Sequence, residues 1–353
     1  MATEGRLSSG VMSYLQDTAR MERLLAAPTA KSYDHCVVGL NQKLWLKLHS
    51  NERRSVSFLK ALPEQTMIDK LAWRLRAIAL KLNLGLPEVS WRALVDELLR
   101  GGHWPLSVGT LVFGRVRPKR RLSDSPFPYV YDTPLGDFRG QLQDGWLIEL
   151  LLREQMEECI YDHPAVRIRS GDIVLDCGGH IGTFARFALD ERGARQVVSF
   201  EPDKSNAACY RVNLEREIRD GRATLVEAGL WDQPGSLSFT PDNNGNSGSG
   251  VVSQVGELEI RTVTIDSVAE ELGLDRVDFI KMDIEGAERR ALAGSCSVLR
   301  NWAPRMAICT YHSEGDAEEI QQLVHCAQPI YRSAAREGQT YFYKGAEVPN
   351  QDA

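Results

Sequence analysis

Beyond Gly171 the chain repeats one alternation: a short apolar run, then a longer stretch in which apolar positions recur every three or four residues. The runs predict strands at Ile173 to Cys177, Gln196 to Glu201, Ala223 to Ala228, Val277 to Asp283, Arg305 to Tyr311 and Thr340 to Lys344. The longer stretches predict helices at Ile181 to Arg192, Asp203 to Arg219, Ala287 to Leu299 and Asp316 to Ala327. That order predicts an α/β fold, a mostly parallel sheet with helices on both faces. Its ligands should sit beyond the carboxyl ends of the strands, where the strand order reverses.

Two regions depart from the alternation. Between Ser236 and Asp266, SLSFTP and LEIRTVTID read as strands flanking DNNGNSGSG, which is too polar and glycine-rich to pack. It reads as a mobile loop, and Asn243 to Gly250 are placed to fold over an acceptor as a lid. Ahead of Gly171, YVYDTPLGDFRGQL predicts a hairpin and DGWLIELLLREQMEECIYD a helix. Up to about Leu122 the spacing is helical. Met67, Leu71, Leu75, Ile78 and Leu82 form one stripe between Pro63 and Gly85, and a second helix starts with Ser90 as N-cap. The predicted organisation is a mainly α-helical region over residues 1–124, which selects the acceptor or pairs copies of the chain, and an α/β domain over 125–353.

Charge sharpens this division. The net charge is -6, but the first 125 residues are basic and the remainder is strongly acidic. RVRPKRRLSDSPFP, Arg115 to Pro128, reads as a linker; it lacks the interleaved aromatics of a nucleic-acid surface, and no nucleic-acid partner is expected. No stretch has the roughly 20 apolar residues that cross a bilayer, and the first residues lack a secretory pattern. The seven cysteines form no CxxC pair. A soluble, cytoplasmic protein with reduced thiols is expected.

The chemistry concentrates in IVLDCGGHIGTFARFAL and VVSFEPDKSNA. A strand ends in Asp176, a turn containing Gly178, Gly179, His180 and Gly182 opens a helix, and the next strand ends in Glu201 and Pro202, about 25 residues on, as in a nucleoside site. A dinucleotide needs a turn that cradles its pyrophosphate, whereas Asp176 would repel phosphate and suit the ammonium of S-adenosylmethionine. A glycine-rich turn without a ligand is the remaining reading. Gly229 and Leu230, after the third strand, are candidate neighbours of the adenine, with Glu227 and Asp232 beside them.

Six segments, DCGGHIGTFA, SFEPD, LWDQPGSLSF, TVTIDSV, VDFIKMDIEGAERRALAG and CTYHSEGDAEEI, resemble the FkbM-type methyltransferases in order and spacing, over about Tyr129 to Lys344. The family's turn has Ala and Asn where this chain has Gly179 and His180. The resemblance implies a Rossmann-like class I methyltransferase sheet of seven strands, the last reversed. It also implies S-adenosyl-L-methionine as donor and methyl transfer to a hydroxyl of a sugar, polyketide or other small natural product. The strand ends carrying Asp283 and Tyr311/His312 should then be neighbours beside the methyl.

His312 is the candidate base, with Asp283 to orient it and Tyr311 beside it, because an imidazole titrates near neutral pH. Asp283, Glu285 and His312 could instead hold a divalent metal such as magnesium. Lys281 should balance charge against Asp283 or Glu288, and Glu288 should favour the start of the following helix. Asp266 should cap the helix SVAEELG. An N-methyltransferase, an NAD-type dehydrogenase and a non-catalytic nucleoside-binding scaffold are the alternatives.

Overall fold

The computed structural model describes residues 116–142, 144–241, 250–253, 258–313, 315–336 and 338–345. The helices expected ahead of residue 116 and the lid over 243–250, save its last residue, lie outside the described residues. Buried strands β4 (Ile173–Cys177), β5 (Gln196–Phe200), β6 (Ala223–Val226), β11 (Phe279–Met282) and β12 (Arg305–Cys309) are rich in Val, Ile, Phe and Met, as both faces of a covered parallel sheet require. With β13 (Tyr331–Arg336) and β14 (Gln339–Lys344) they form seven strands in the order β13-β14-β12-β11-β4-β5-β6. Neighbours from β12 to β6 are parallel, and β14 runs antiparallel between β12 and β13. The reversal of order lies beside β4, between β5 and β11, so the carboxyl ends of these three strands border the candidate site.

Two cores flank the sheet. On one face Phe138, Ile148, Phe187, Tyr210 and Tyr341 pack together, joining helices α1 (Asp144–Met156), α2 (Thr183–Arg186) and α3 (Lys204–Asn213) to a small antiparallel sheet, β1 (Pro118–Arg121), β2 (Tyr129–Thr133) and β3 (Gly136–Gly140). On the other, Phe200, Ile265, Leu292, Leu299 and Val324 are shared with α5 (Ile265–Glu271), α6 (Glu288–Ala293), α7 (Cys296–Trp302) and α8 (Asp316–Ala327). A four-stranded sheet, β7-β10-β8-β9, is built from β7 (Gly229–Leu230), β8 (Gly235–Pro241), β9 (Gly250–Ser253) and β10 (Leu258–Val263).

Several expected boundaries shift for local reasons. The linker reading of Arg115 to Pro128 fails, because Pro118–Arg121 pairs with β2 and Phe127 is buried. The helix expected over Asp203 to Arg219 splits at Leu214 into α3 and α4 (Glu215–Arg219). The Asn213 side chain there receives the Arg139 N–H and donates to the Ile181 carbonyl. The helix expected over Ala287 to Leu299 breaks at Gly294, which touches the Trp231 carbonyl and has no room for a Cβ. The helix after the glycine turn widens into a π-helical turn, Phe187–Glu191. Asp266 caps a different helix from the one expected: Thr264 caps α5, while Asp266 accepts the Ser297 and Val298 N–H groups at the start of α7.

Candidate active site

The turn after β4 is held almost entirely by its own backbone. The Phe200 carbonyl accepts the N–H groups of Gly178 (3.1 Å) and Gly179 (2.9 Å), and the Gly179 carbonyl accepts that of Gly182 (2.9 Å). The His180 N–H goes to Glu201 Oε2 at 2.8 Å. Four N–H groups that a phosphate would need are thus spent inside the protein, which fits a donor without phosphates and not a dinucleotide. The glycines also meet a packing demand. A Cβ on Gly178, at φ 92°, would strike the Asp283 carbonyl oxygen, and one on Gly182 would strike Leu214. His180 is left-handed, φ 47°, a conformation that His shares with Asn more readily than most residues.

Asp176 is fully buried, and its carboxylate faces the protein. It pairs with Lys281 Nζ at 3.2 Å and accepts the Ser199 hydroxyl at 3.0 Å; Ser199 in turn lies 2.9 Å from the Tyr210 hydroxyl. These residues sit in register, Lys281 opposite Asp176 and Asp176 opposite Ser199, so one polar row crosses three strands. Any contact with a donor's ammonium, expected directly or through water, would be made by a carboxylate already engaged by Lys281 and Ser199. Lys281, expected to pair with Asp283 or Glu288, pairs with Asp176 and donates to the Gly178 carbonyl at 2.6 Å, with Tyr161 and Phe184 rings 5.5 and 5.7 Å away. Burial pulls its proton affinity down, but Asp176 and Asp283 outweigh this and hold the ammonium charged.

Glu201 lies directly after β5, one residue beyond the observed strand end, with Oε1 accepting the Asp203 N–H at 2.9 Å. The Asn206 side chain also bonds it, so the carboxylate is firmly oriented at the place expected for the hydroxyls of a ribose. Burial pushes it up to about 7, against the two N–H groups that favour its charge. Pro202 follows it directly. Gly229 and Leu230 are buried in β7, where they pair with Thr262 and Val263, so their backbone serves a ladder. Glu227 pairs with Arg211, and Asp232 with Arg290 at 2.7 Å.

The second half of the site lies where β11 and β12 end. Asp283 and His312 are neighbours, as expected, with Nε2 3.5 Å from Asp283 Oδ1 and 3.5 Å from Glu285 Oε2. The closest grip comes from Glu288, whose Oε1 is 3.0 Å from Nδ1 and also accepts the Ile284 N–H at 2.9 Å. Glu288 thus orients the imidazole as well as starting a helix. Burial disfavours charge on His312, but the three carboxylates overcome it and push its pKa to about 9. That raised affinity favours the imidazolium over the neutral imidazole that the expected base would use. Tyr311 stacks obliquely on it, rings 4.3 Å apart, and burial keeps its phenol protonated.

Asp283, Glu288 and His312 each offer an atom within 4.8 Å of the others, a set differing from the expected metal ligands by Glu288 in place of Glu285. An ion there would compete with the proton that the three carboxylates favour on the imidazole. Tyr161 donates to Asp283 Oδ2 at 2.6 Å across 122 residues of sequence, and Glu154 of α1 is pushed up to about 8 by burial and by Asp283. Sequence reasoning missed both, since neither belongs to a motif: Glu154 is one of several polar residues of α1, and Tyr161 lies beyond its end. Asp283 itself stays ionised: burial opposes this, but His312, Lys281 and the Tyr161 hydroxyl hold its pKa below the usual range.

Residues 176–331 match the methyltransferase FkbM domain. The chain is 27% identical over 188 residues to the hexuronic acid methyltransferase AglP of Haloferax volcanii, covering 53% of this chain and 69% of that one. It is 30% identical over 176 residues to the 31-O-demethyl-FK506 methyltransferase FkbM of Streptomyces tacrolimicus, covering 41% of this chain and 68% of that one. Against the crystal structure of methyltransferase FkbM from Methylobacillus flagellatus the identity is 22% and the TM-score 0.41, over 57% of this chain and about half (54%) of that structure. The domain match and the identity to the Streptomyces enzyme place this chain in the FkbM family, as an S-adenosylmethionine-dependent methyltransferase.

Proposed function

We propose that this methyltransferase is an O-methyltransferase whose acceptor is a hydroxyl on a sugar, a polyketide or a similar small molecule. The observation that supports it is the ionised cluster of Asp283, Glu285, Glu288 and His312 at the ends of β11 and β12. A hydroxyl is a poor nucleophile until its proton is drawn away, and methyl transfer otherwise demands mainly alignment. The names of the relatives agree in kind: one acts on a hexuronic acid, the other on a demethylated oxygen of FK506.

The donor supplies an electrophilic methyl when bound. Glu201, held by two backbone N–H groups, grips the ribose; the self-bonded turn gives the donor a rigid floor. Asp283, kept ionised, favours the positive sulfonium end, and Tyr161 and His312 fix its orientation. Residues ahead of 116 select the acceptor or join copies of the chain. The test is twofold: S-adenosylhomocysteine should raise the melting temperature where NAD does not, and labelled donor with small-molecule extracts should yield products heavier by one methyl on oxygen. Methyl found only on nitrogen, or donor binding without any methylated product, would redirect the reading to an N-methyltransferase or a scaffold.

A further inference from the structure

Most polar groups around Asp283 are spoken for by their neighbours, and two are not. Glu154, half-buried in the last turn of α1, makes no hydrogen bond or ion pair among the described residues. Its neighbours in the helix are engaged: Arg153 pairs with Glu158 at 3.1 Å, and Gln155 donates to Thr183 Oγ1 at 3.3 Å, at the start of the helix that follows the glycine turn. The Glu154 carbonyl accepts the Ile160 N–H at 3.0 Å, which turns the chain so that Tyr161 reaches Asp283. Glu154 therefore lies beside the place where the donor turn meets Asp283, close enough to feel the charges of Asp283 and Lys281.

Tyr311 is the second unengaged group. Its ring leans on His312, and Gly338 leaves it room, since a Cβ there would come within 3.0 Å of the ring. Its hydroxyl has no hydrogen-bond partner among the described residues, and the charges of Asp283, Glu285 and Glu154 all act on it.

The cations that act on Asp283 and Glu154 are all matched already. Lys281 pairs with Asp176, His312 is closest to Glu288, and Arg153 pairs with Glu158. An anionic acceptor would bring its charge next to Asp283 with no unmatched cation among these to meet it.

We propose that Glu154 and Tyr311 are acceptor-positioning residues that clasp an uncharged sugar, bonding the hydroxyls beside the one that is methylated, while Asp283 and Glu285 turn away acceptors that carry a carboxylate or a phosphate. The inference rests on the O-methyltransferase reading above and narrows its acceptor. A carboxyl accepts a hydroxyl hydrogen whether or not it carries its own proton, so the grip of Glu154 does not depend on its charge. Two such groups next to the reacting oxygen suit a ring with neighbouring hydroxyls, and they penalise a molecule that would leave them unpaired.

The test uses the full chain saturated with S-adenosylhomocysteine and two probes that differ at one carbon, methyl α-glucoside and methyl α-glucuronide, with binding read by saturation-transfer NMR. The glucoside should bind about ten-fold more tightly than the glucuronide. Glu154→Ala and Tyr311→Phe should each weaken glucoside binding by about five- to ten-fold, and Glu154→Ala should leave S-adenosylhomocysteine affinity by calorimetry unchanged. Glu154→Gln, which keeps an accepting oxygen, should retain most of the binding. Glu154→Lys should bring the glucuronide level with the glucoside or ahead of it, a change of preference that a merely structural residue would not produce. Equal binding of the two probes to the wild type, no binding of the glucoside, or glucoside binding untouched by Glu154→Ala would overturn the inference. The O-methyltransferase reading, judged by where labelled donor places its methyl in small-molecule extracts, would then still stand. Methyl found on nitrogen alone would remove that reading and the inference with it.

Discussion

His312 shows how surroundings decide what a side chain can do. An imidazole that titrates near neutrality in water is held as a cation by Glu288, Asp283 and Glu285. Its charge in turn keeps the Glu285 carboxyl lower than burial alone would set it. Replacing His312 with Gln should therefore push the Glu285 carboxyl above about 7, read from carboxyl NMR titrations of the two proteins; an unmoved titration would mean that His312 does not set its charge. The motif KMDIEGAE and the TYH that follows β12 were enough to bring Asp283 and His312 together in advance. Their other partners were not legible. Tyr161 reaches Asp283 from beyond the end of α1, inside the stretch read as one helix, and Lys281 turned to Asp176 because strand register, which the sequence does not print, sets them opposite each other.

At the scale of elements, the glycine turn and the strand ends it touches behave as one piece. Gly178 backs directly onto the Asp283 carbonyl, so the donor-binding turn and the strand that delivers Asp283 cannot move apart independently. Gly178→Ala adds a Cβ at a left-handed position with no space for it and should destabilise by roughly 2 kcal/mol or more, measurable as a lower denaturation midpoint. Strands β4, β5 and β12 start where the apolar runs start, because a buried parallel strand announces itself by composition. Edge strand β13 went unread: its sequence, YRSAAR, is mostly half-exposed and lacks an apolar run. Long helices were read as continuous because apolar spacing persists across Leu214 and Gly294; the breaks come from Asn213 tying down β3 and from the Trp231 carbonyl under Gly294.

For the whole molecule, the buried titratable groups set a direction for stability against pH. His312 has a folded pKa of about 9, above its ordinary 6.5, so the stability it contributes is complete below about pH 6.5 and is lost as pH rises through about 9. Glu285 and Glu201, at about 7, and Glu154, at about 8, also bind protons more tightly when folded than their ordinary 4.5 allows. Their ionisation costs stability as pH rises from about 4.5 toward 8. All four effects share a sign, so the melting temperature should fall steadily from mildly acid pH toward pH 9 in calorimetry. A donor that uses the ionised Glu201 should offset part of that fall. Among the described residues no helix is long and apolar enough to cross a membrane.

The placement of β14 has a consequence for the order of assembly during synthesis. It is made after β13, yet it lies inside the sheet, hydrogen-bonded to β12 on one side and β13 on the other. Until Gln339–Lys344 has left the ribosome, β12 presents an open edge beside the catalytic strands and β13 has nothing to pair with. The sheet is therefore closed by its latest arrival, and a nascent chain halted before residue 339 should be protease-sensitive and prone to self-association, however complete its donor-binding half.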